Sequence, residues 1–174
     1  YHNIKLIIIG NEFLCIFALY FSNMKKILFV CHGNICRSPM AEFIMKKKIM
    51  DAGIADQFEV ASAATSTEEI GNDIYPPAKE TLKRHNISFT KRKARQVTKA
   101  DYTHYDYIFV MDRNNLRWLD HMFPGMNSNV RMLMSLCGEN RDVADPWYTG
   151  DFETTYKDID KALNAFLAGT IQTI

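Results

Sequence analysis

The stretch from Lys25 to Ser38 constrains the fold of this chain most, because it combines the pattern of a buried strand with a tight turn and a helix start. The strand is indicated by the continuous apolar run from Ile27 to Val30, which is typical where both faces of a sheet are covered. The helix start is indicated by Ser38, a favoured N-cap residue, and by Pro39 at the first helical position. This order of elements predicts a domain of the α/β class.

The turn between this strand and this helix has the chemistry of an anion site. A helix N-terminus presents free backbone N–H groups and the positive end of the helix dipole. Arg37 adds a planar guanidinium that matches two phosphate oxygens. Cys31 stands at the other end of the turn, where the same positive field favours a thiolate. A thiolate that faces a bound phosphate is a nucleophile facing a phosphorus atom.

The sequence around this turn resembles the phosphate-binding loop of the low-molecular-weight protein tyrosine phosphatases. The C-x5-R-S core is shared with unrelated phosphatase folds, but Gly33, Asn34, Cys36 and the following SPMAE make the resemblance specific. It covers the chain from Met24 to about Leu167. It implies that the chain hydrolyses protein phosphotyrosine and small aryl phosphates through a phosphocysteine intermediate.

The resemblance also implies a role for each residue of the loop. It makes Cys31 the nucleophile and Arg37 the phosphate clamp, with no metal and no cofactor, because Arg37 and the helix end supply the positive charge. The phosphate-binding set is His32, Gly33, Asn34, Ile35, Cys36, Arg37 and Ser38. The residues expected to support the loop by hydrogen bonding are Asn34, Ser38, Ser62 and His85. Cys36 is the expected redox partner of Cys31, trapping an oxidised thiol as a disulfide.

A second chemical stretch lies at residues 142–150. Pro146 pushes Asp145 out of helical geometry, so its side chain can point from a loop. The resemblance makes Asp145 the general acid and base, and makes Trp147 and Tyr148 the aromatic wall for a substrate ring. Glu68 falls in a loop that often carries an aromatic residue in the family, which predicts a weaker wall on that side.

Four strand patterns alternate with four helix patterns along the chain. The strands are expected at 27–30, 58–62, 107–111 and 130–136, and the helices at 39–52, 78–85, 114–122 and 152–167. This order predicts right-handed crossovers and a single domain at residues 24–174. We expect a doubly wound, phosphatase I-like fold, with a four-stranded parallel sheet flanked by helices on both faces and its ligand site after the first strand. The basic run at residues 91–95 is interpreted as a solvated loop in which Arg95 is structural.

Composition excludes several classes of function. A chain of 174 residues holds one domain with a proper core, and a net charge of +1 does not call for nucleic acid or an acidic membrane. The four cysteines have neither metal-ligand spacing nor the density of a secreted disulfide scaffold. The expected location is therefore the cytoplasm. The expected partners are phosphotyrosine-containing proteins, with phosphate and other oxyanions as inhibitors.

Residues 1–23 form an apolar extension that lies outside the expected fold. Lys5 and Glu12 interrupt it, and the clean stretch Phe13–Phe21 is too short to span a bilayer. Family members usually begin close to the position of Met24. Three interpretations stay open: upstream sequence wrongly included, a membrane anchor or signal, and an added packing element. Membrane association is expected only under the second.

Three other functions are compatible with parts of this pattern. An arsenate reductase of this fold needs further cysteines for a disulfide relay, and Cys137 and Cys15 supply it poorly. The phosphoarginine phosphatase branch resembles this sequence but carries threonine where Ile35 stands, so Ile35 favours phosphotyrosine. A binding module or a sugar-transport phosphocarrier would not need Arg37 together with the Asp145 acid.

Overall fold

Four parallel strands form the sheet that organises the molecule. The structure, a computed structural model, describes residues 24–171. The strands pair in the order β2-β1-β3-β4. Their bounds are β1 Lys25–Cys31, β2 Phe58–Ala64, β3 Tyr107–Val110 and β4 Val130–Met132. The predicted fold class, with one parallel sheet of four strands, is confirmed.

Six α-helices accompany the sheet in the part of the chain that the structure describes. They are α1 Arg37–Asp51, α2 Pro76–Arg84, α3 Lys99–His104, α4 Arg113–Met122, α5 Pro146–Thr149 and α6 Phe152–Ile171. Two short 3-10 turns, Ala55–Gln57 and Leu133–Cys137, complete the described elements. No helix among residues 24–171 has both the length and the apolar character that crossing a membrane requires.

The central strand is buried on both of its faces. Ile27 and Phe29 point to one side, where they join the larger apolar cluster with residues of α1 and α6. Leu28 and Val30 point to the other side, where they join the smaller cluster with Leu119 of α4. Because successive strand residues alternate between faces, only a continuous apolar run can fill both clusters. The helices therefore lie on both faces of the sheet, as predicted.

The direction in which successive strands are added to the sheet reverses at β1, and this switch point positions the site. From β1 the chain crosses to β2 on one side of it, and β3 pairs on the other side. The carboxyl ends are in register, because Cys31 pairs with Ala64 and Val30 pairs with Val110. In open α/β sheets, ligands bind in the crevice at such a switch point. The segments that follow β1 and β3 therefore meet at one edge.

Two element predictions were wrong. The fourth strand was expected at 130–136, but β4 ends at Met132 and a 3-10 turn follows. The reason is that β4 pairs only with the four-residue β3, so residues beyond Met132 have no partner strand. Helix α3 was not predicted, although Thr98 and Asp101 form a capping box at its start. Its sequence signal was present and was overlooked.

Candidate active site

A cleft of about 360 Å³ lies at the carboxyl edge of the sheet. Four segments of the chain line it: the loop after β1, the loop after β2, the start of α4 and the segment around α5. It brings together residues that are far apart in sequence. The lining residues are Cys31, His32, Gly33, Ile35, Cys36, Arg37, Glu68, Glu69, Asp112, Asn114, Asn115, Trp118, Asp145, Trp147 and Tyr148.

Cys31 is the last residue of β1, and its side chain lines the base of the cleft. It is buried, with 3% of its surface exposed. The Ser38 hydroxyl lies 3.0 Å from its Sγ atom, and the backbone N–H of Asn34 donates to Sγ over 3.3 Å. Both groups can donate to a negative sulfur. The site therefore holds a sulfur atom whose anionic form has two hydrogen-bond donors ready.

Asn34 is the structural centre of the loop that follows Cys31. It is fully buried, and its backbone has a positive φ of 58°, which asparagine tolerates better than most residues. Its side-chain Nδ2 donates to the hydroxyls of Ser38, over 2.8 Å, and Ser62, over 2.9 Å. Its Oδ1 accepts from the guanidinium of Arg92 and the backbone N–H of Arg95. These bonds hold the loop in its left-handed turn.

Ser62 connects this loop to the first helix. The Ser62 hydroxyl accepts from Asn34 and donates to Oε2 of Glu42 over 2.6 Å. Glu42 is buried, and Lys46 neutralises its other oxygen at 2.5 Å. A buried carboxylate needs such partners, because an unpaired one would be strongly destabilising. The brace of the loop therefore extends from β2 into α1.

Ser38 lies inside helix α1 rather than at its N-cap, so that detail of the sequence prediction was wrong. The helix begins at Arg37, with Cys36 at the N-cap and no side-chain cap. The Ser38 hydroxyl instead accepts from Asn34, and its one proton can go either to the Cys31 sulfur, 3.0 Å away, or to the carbonyl of Ala63, 3.3 Å away. Its hydrogen-bonding capacity is used by the loop, which leaves the first helical N–H groups available to an anion.

The structure places the His85 ring away from this loop. Its Nε2 lies 3.0 Å from both carboxylate oxygens of Glu153, and the ring stacks on Tyr156 with centroids 3.5 Å apart. Within residues 24–171, its hydrogen bonds do not include an atom of the loop. The support that the resemblance implies for His85 comes in this structure from another residue.

Arg92 is that residue, and sequence reasoning missed it. Its Nη1 donates to the backbone carbonyl of Asn34 over 2.8 Å, and its Nη2 donates to the Asn34 Oδ1 over 2.6 Å. Its side chain is only 13% exposed, so the interpretation of residues 91–95 as a solvated loop was wrong at this position. The apolar Ala94 within the basic run was a sequence sign of packing, and it is buried in the structure. Arg95 pairs with both carboxylate oxygens of Asp101, which supports its structural role.

Arg37 lies at the opposite end of the loop from Cys31, with its guanidinium held by two carboxylates. Its Nη1 donates to Asp112 over 2.6 Å, and its Nη2 pairs with Asp145. Burial by itself lowers the pKa of Arg37, but the negative charges of Cys31, Asp145 and Asp112 outweigh it and raise the pKa above its usual value. Arg37 is therefore a fixed positive charge at the base of the cleft.

Asp145 reaches the cleft from the start of α5. It was expected in a loop, and it is the N-cap of this one-turn helix, where its Oδ1 accepts from the backbone N–H of Trp147 over 3.1 Å. Its other oxygen faces Arg37. Because Pro146 takes the first helical position, the Asp145 backbone stays extended, and its carboxyl group can aim into the cleft.

Asp112 is a second residue that sequence reasoning did not assign to the site. Its Oδ1 caps α4 by accepting from the backbone N–H of Asn115 over 2.6 Å, while its Oδ2 accepts from Arg37. The available signal was its position directly after β3, the neighbour of β1 at the same edge of the sheet. It orients the guanidinium while Asp145 faces the opening of the cleft.

Cys36 lines the cleft but differs chemically from Cys31. Burial, together with the nearby charges of Cys31 and Asp145, raises the pKa of the Cys36 thiol to about 12. Cys36 is therefore mainly a neutral thiol near neutral pH and does not compete with Cys31 for phosphorus. Both cysteines are free thiols in this structure.

The rim of the cleft is aromatic and exposed. Trp147 is 55% exposed, Tyr148 is 85% exposed, and Trp118 of α4 is 50% exposed. Glu68 also lines the cleft, and its Oε2 lies 3.1 Å from Nε2 of His32. The cleft can therefore admit a flat ring between its walls and bring an attached phosphate to the base.

The chain is similar over most of its length to one family of proteins. A family model described as low molecular weight phosphotyrosine protein phosphatase matches residues 26–173. The human protein of that name is 40% identical over 149 residues, which cover 82% of this chain and 94% of the human one. The solved structure of YfkJ from Bacillus subtilis is 36% identical, with a TM-score of 0.81, 86% coverage of this chain and 96% of that one. The solved structure of DARP, a Drosophila arginine phosphatase, is 31% identical, with a TM-score of 0.76 and coverages of 83% and 97%.

Proposed function

This chain belongs to the low molecular weight phosphotyrosine protein phosphatase family, and we propose that it hydrolyses phosphotyrosine in proteins, together with small aryl phosphates. One observation carries the proposal: the buried Cys31 sulfur, the Arg37 guanidinium and the Asp145 carboxyl group line one cleft under an aromatic rim. The three residues have different roles in phosphoryl transfer.

In the first step, the Cys31 thiolate attacks phosphorus in line with the bond to the tyrosine oxygen. The new S–P bond forms as the P–O bond breaks, while Arg37 and the loop N–H groups hold the equatorial oxygens. Protonated Asp145 gives its proton to the departing phenolate. That proton matters, because a phenol with a pKa of about 10 is a poor leaving group without it.

In the second step, water hydrolyses the phosphocysteine. Asp145, now a carboxylate, takes a proton from the water while the water oxygen attacks phosphorus. The S–P bond breaks, and the products are inorganic phosphate and the Cys31 thiolate. Arg37 keeps its charge through both steps, because a guanidinium stays protonated at neutral pH. Inorganic phosphate and similar oxyanions are the expected inhibitors, since they fit the same loop.

Two alternatives are less well supported by the arrangement of residues. Similarity to an arginine phosphatase keeps phosphoarginine as a candidate substrate, but the apolar Ile35 in the cleft lining favours an aryl group. An arsenate reductase relay would draw on Cys137 or Cys15. Cys137 donates to the carbonyl of Met134 and does not line the cleft, and Cys15 lies outside the described residues.

We further propose a cytoplasmic enzyme whose domain spans residues 24–174 and whose partners are phosphotyrosine proteins rather than nucleic acid. The near-neutral charge supports the last point. The predictions for residues 1–23, including membrane association through an anchor, lie outside the described residues.

Turnover measured side by side on phosphotyrosine, phosphoserine and phosphoarginine peptides tests the proposed substrate class. We expect kcat/KM to be highest for phosphotyrosine, because only that substrate places a ring between the aromatic walls. A higher kcat/KM for phosphoarginine would assign the chain to the other activity.

A further inference from the structure

Trp118 is a large aromatic side chain that α4 directs away from the core. The next residue, Leu119, is fully buried and packs against the sheet, whereas Trp118 is half exposed and lines the cleft. Its ring contacts His121 edge to face, with centroids 6.2 Å apart. A half-exposed tryptophan beside a ligand site is informative, since burying its ring would be favourable.

A shallow groove of about 380 Å³ continues from the cleft along α4. Its lining residues are Asn114, Arg117, Trp118 and His121. Asn114 and Trp118 also line the phosphate cleft, so the two depressions share one wall. A peptide whose phosphotyrosine occupies the cleft can therefore continue into this groove without leaving the surface.

The exposed charge on α4 and the charges on the loop after β2 have opposite signs. Arg117 donates to Asn114 over 3.1 Å and makes no ion pair with a carboxylate of residues 24–171. On the other side of the cleft, the loop after β2 contributes Glu68 and Glu69 to the lining. An acidic ligand group is therefore complementary to the α4 side and is repelled by the Glu68 side.

We propose that Trp118 and Arg117 form a subsite for the residues that flank phosphotyrosine, and that this subsite selects peptides with an acidic side chain next to the phosphotyrosine. The inference rests on the proposed function and deepens it by naming the substrate class. Trp118 supplies an aromatic surface that the loop containing Glu68 lacks. Arg117 supplies a positive charge that attracts an acidic side chain of the peptide. Trp118 thus adds an aromatic contact from α4 to those of Trp147 and Tyr148.

The test compares phosphotyrosine peptides of one sequence that carry either glutamates or lysines beside the phosphotyrosine, on its N-terminal or its C-terminal side. The wild-type protein is expected to prefer the glutamate peptides. Arg117→Glu is expected to reduce the ratio of kcat/KM for glutamate over lysine peptides about three- to tenfold. Raising the salt concentration is expected to reduce the wild-type ratio in the same direction, because the contact is exposed.

Trp118→Ala is expected to lower kcat/KM for the glutamate peptide about fivefold relative to that for p-nitrophenyl phosphate, mainly through KM. Two control variants carry matched changes at exposed positions outside the cleft and groove: Lys157→Glu on α6 for charge and Met50→Ala on α1 for apolar surface. Both are expected to keep the wild-type ratios.

Two results would overturn the inference, and they are distinguishable. Normal turnover with ratios that neither Trp118→Ala nor Arg117→Glu changes would remove the subsite and leave the proposed function intact. Absence of turnover on every phosphotyrosine peptide and on p-nitrophenyl phosphate would remove the proposed function, and the subsite with it.

Discussion

The base and the rim of the cleft are built in opposite ways. At the base, Asn34, Ser38 and Ser62 are buried, and each makes hydrogen bonds to at least one of the others. At the rim, Trp118 and Tyr148 are exposed and are not among the core residues. Chemistry at phosphorus needs fixed donors, whereas binding of varied peptides needs accessible aromatic surface.

This difference between base and rim indicates which positions tolerate substitution. An alteration at the base must disturb several hydrogen bonds at once, because Asn34 alone connects two serines, Arg92 and the backbone of Arg95. A substitution at the rim changes only which substrates the cleft binds well. We therefore expect substitutions at the base to lower turnover on every substrate. Substitutions at the rim are expected to change the order of kcat/KM among substrates.

Asp145 breaks this division, because it lies at the rim end of α5 and pairs with Arg37 at the base. Asp145→Asn removes the proton donor of the first step, and we expect a loss of about 10²–10⁴-fold in kcat/KM for phenyl phosphate, since kcat/KM does not include the later hydrolysis of the phosphocysteine. The loss is expected to be much smaller for p-nitrophenyl phosphate, whose leaving group needs less protonation. Steady-state kinetics on a series of aryl phosphates measures both values.

Asp151→Asn is the matched control, since Asp151 also accepts from a backbone N–H near a helix start but does not line the cleft. It is expected to keep the wild-type dependence on the leaving group. If Asp145→Asn loses the same factor in kcat/KM on every aryl phosphate, then Asp145 is not the general acid.

Arg92 tests the rigidity of the base. Arg92→Met removes two hydrogen bonds to Asn34, and we expect the free energy of unfolding to fall by about 1.5–3 kcal/mol. We expect kcat to fall about tenfold on peptide and aryl substrates alike, because the loop loses its left-handed turn. Thermal unfolding and steady-state kinetics on two substrates measure these effects, and Arg92→Lys is expected to recover only part of each.

Arg95→Met provides the comparison for Arg92, because it removes an equal charge from the same loop. Arg95 contacts Asn34 only through its backbone N–H, while its side chain pairs with Asp101. We expect it to lower stability with a smaller effect on kcat. Equal effects of the two variants on kcat would reduce Arg92 to a structural residue.

Cys36→Ser is expected to have the smallest effect on turnover, since the proposed role of Cys36 is to protect Cys31 from irreversible oxidation. After mild peroxide treatment, a Cys31 sulfenic acid would condense with the Cys36 thiol, releasing water and forming a disulfide that dithiothreitol reduces. We expect wild-type protein to regain most of its own starting activity with dithiothreitol, and Cys36→Ser to regain far less. Equal recovery in both proteins would leave Cys36 as a packing residue.

The parts that could be predicted from the sequence are those set by local order. The run Ile27 to Val30 predicts a strand buried on both faces, and the pair Asp145-Pro146 predicts a carboxyl group held outside helical geometry, although the short helix α5 that follows was not predicted. Both features depend on neighbouring residues, so a pattern of adjacent letters contains them.

The parts that could not be predicted depend on contacts across the fold. Arg92 reaches Asn34 from 58 residues away, and Asp112 reaches Arg37 from 75 residues away. The local signals, an alanine near Arg92 and the position of Asp112 after β3, are equally compatible with a solvated arginine and a simple helix cap. The N-terminus of α1 was misplaced for the same reason, since the Ser38 hydroxyl serves the loop rather than the helix.

The most direct test of the account is to capture phosphate on Cys31. Wild-type protein quenched in acid during turnover of p-nitrophenyl phosphate is expected to carry one phosphoryl group, which peptide mass spectrometry places on Cys31. Cys36→Ser is expected to give the same adduct, while Cys31→Ser is expected to give none and to show no detectable turnover. A Cys31→Ser protein that keeps even a tenth of the wild-type turnover would contradict the assignment of Cys31 as the nucleophile.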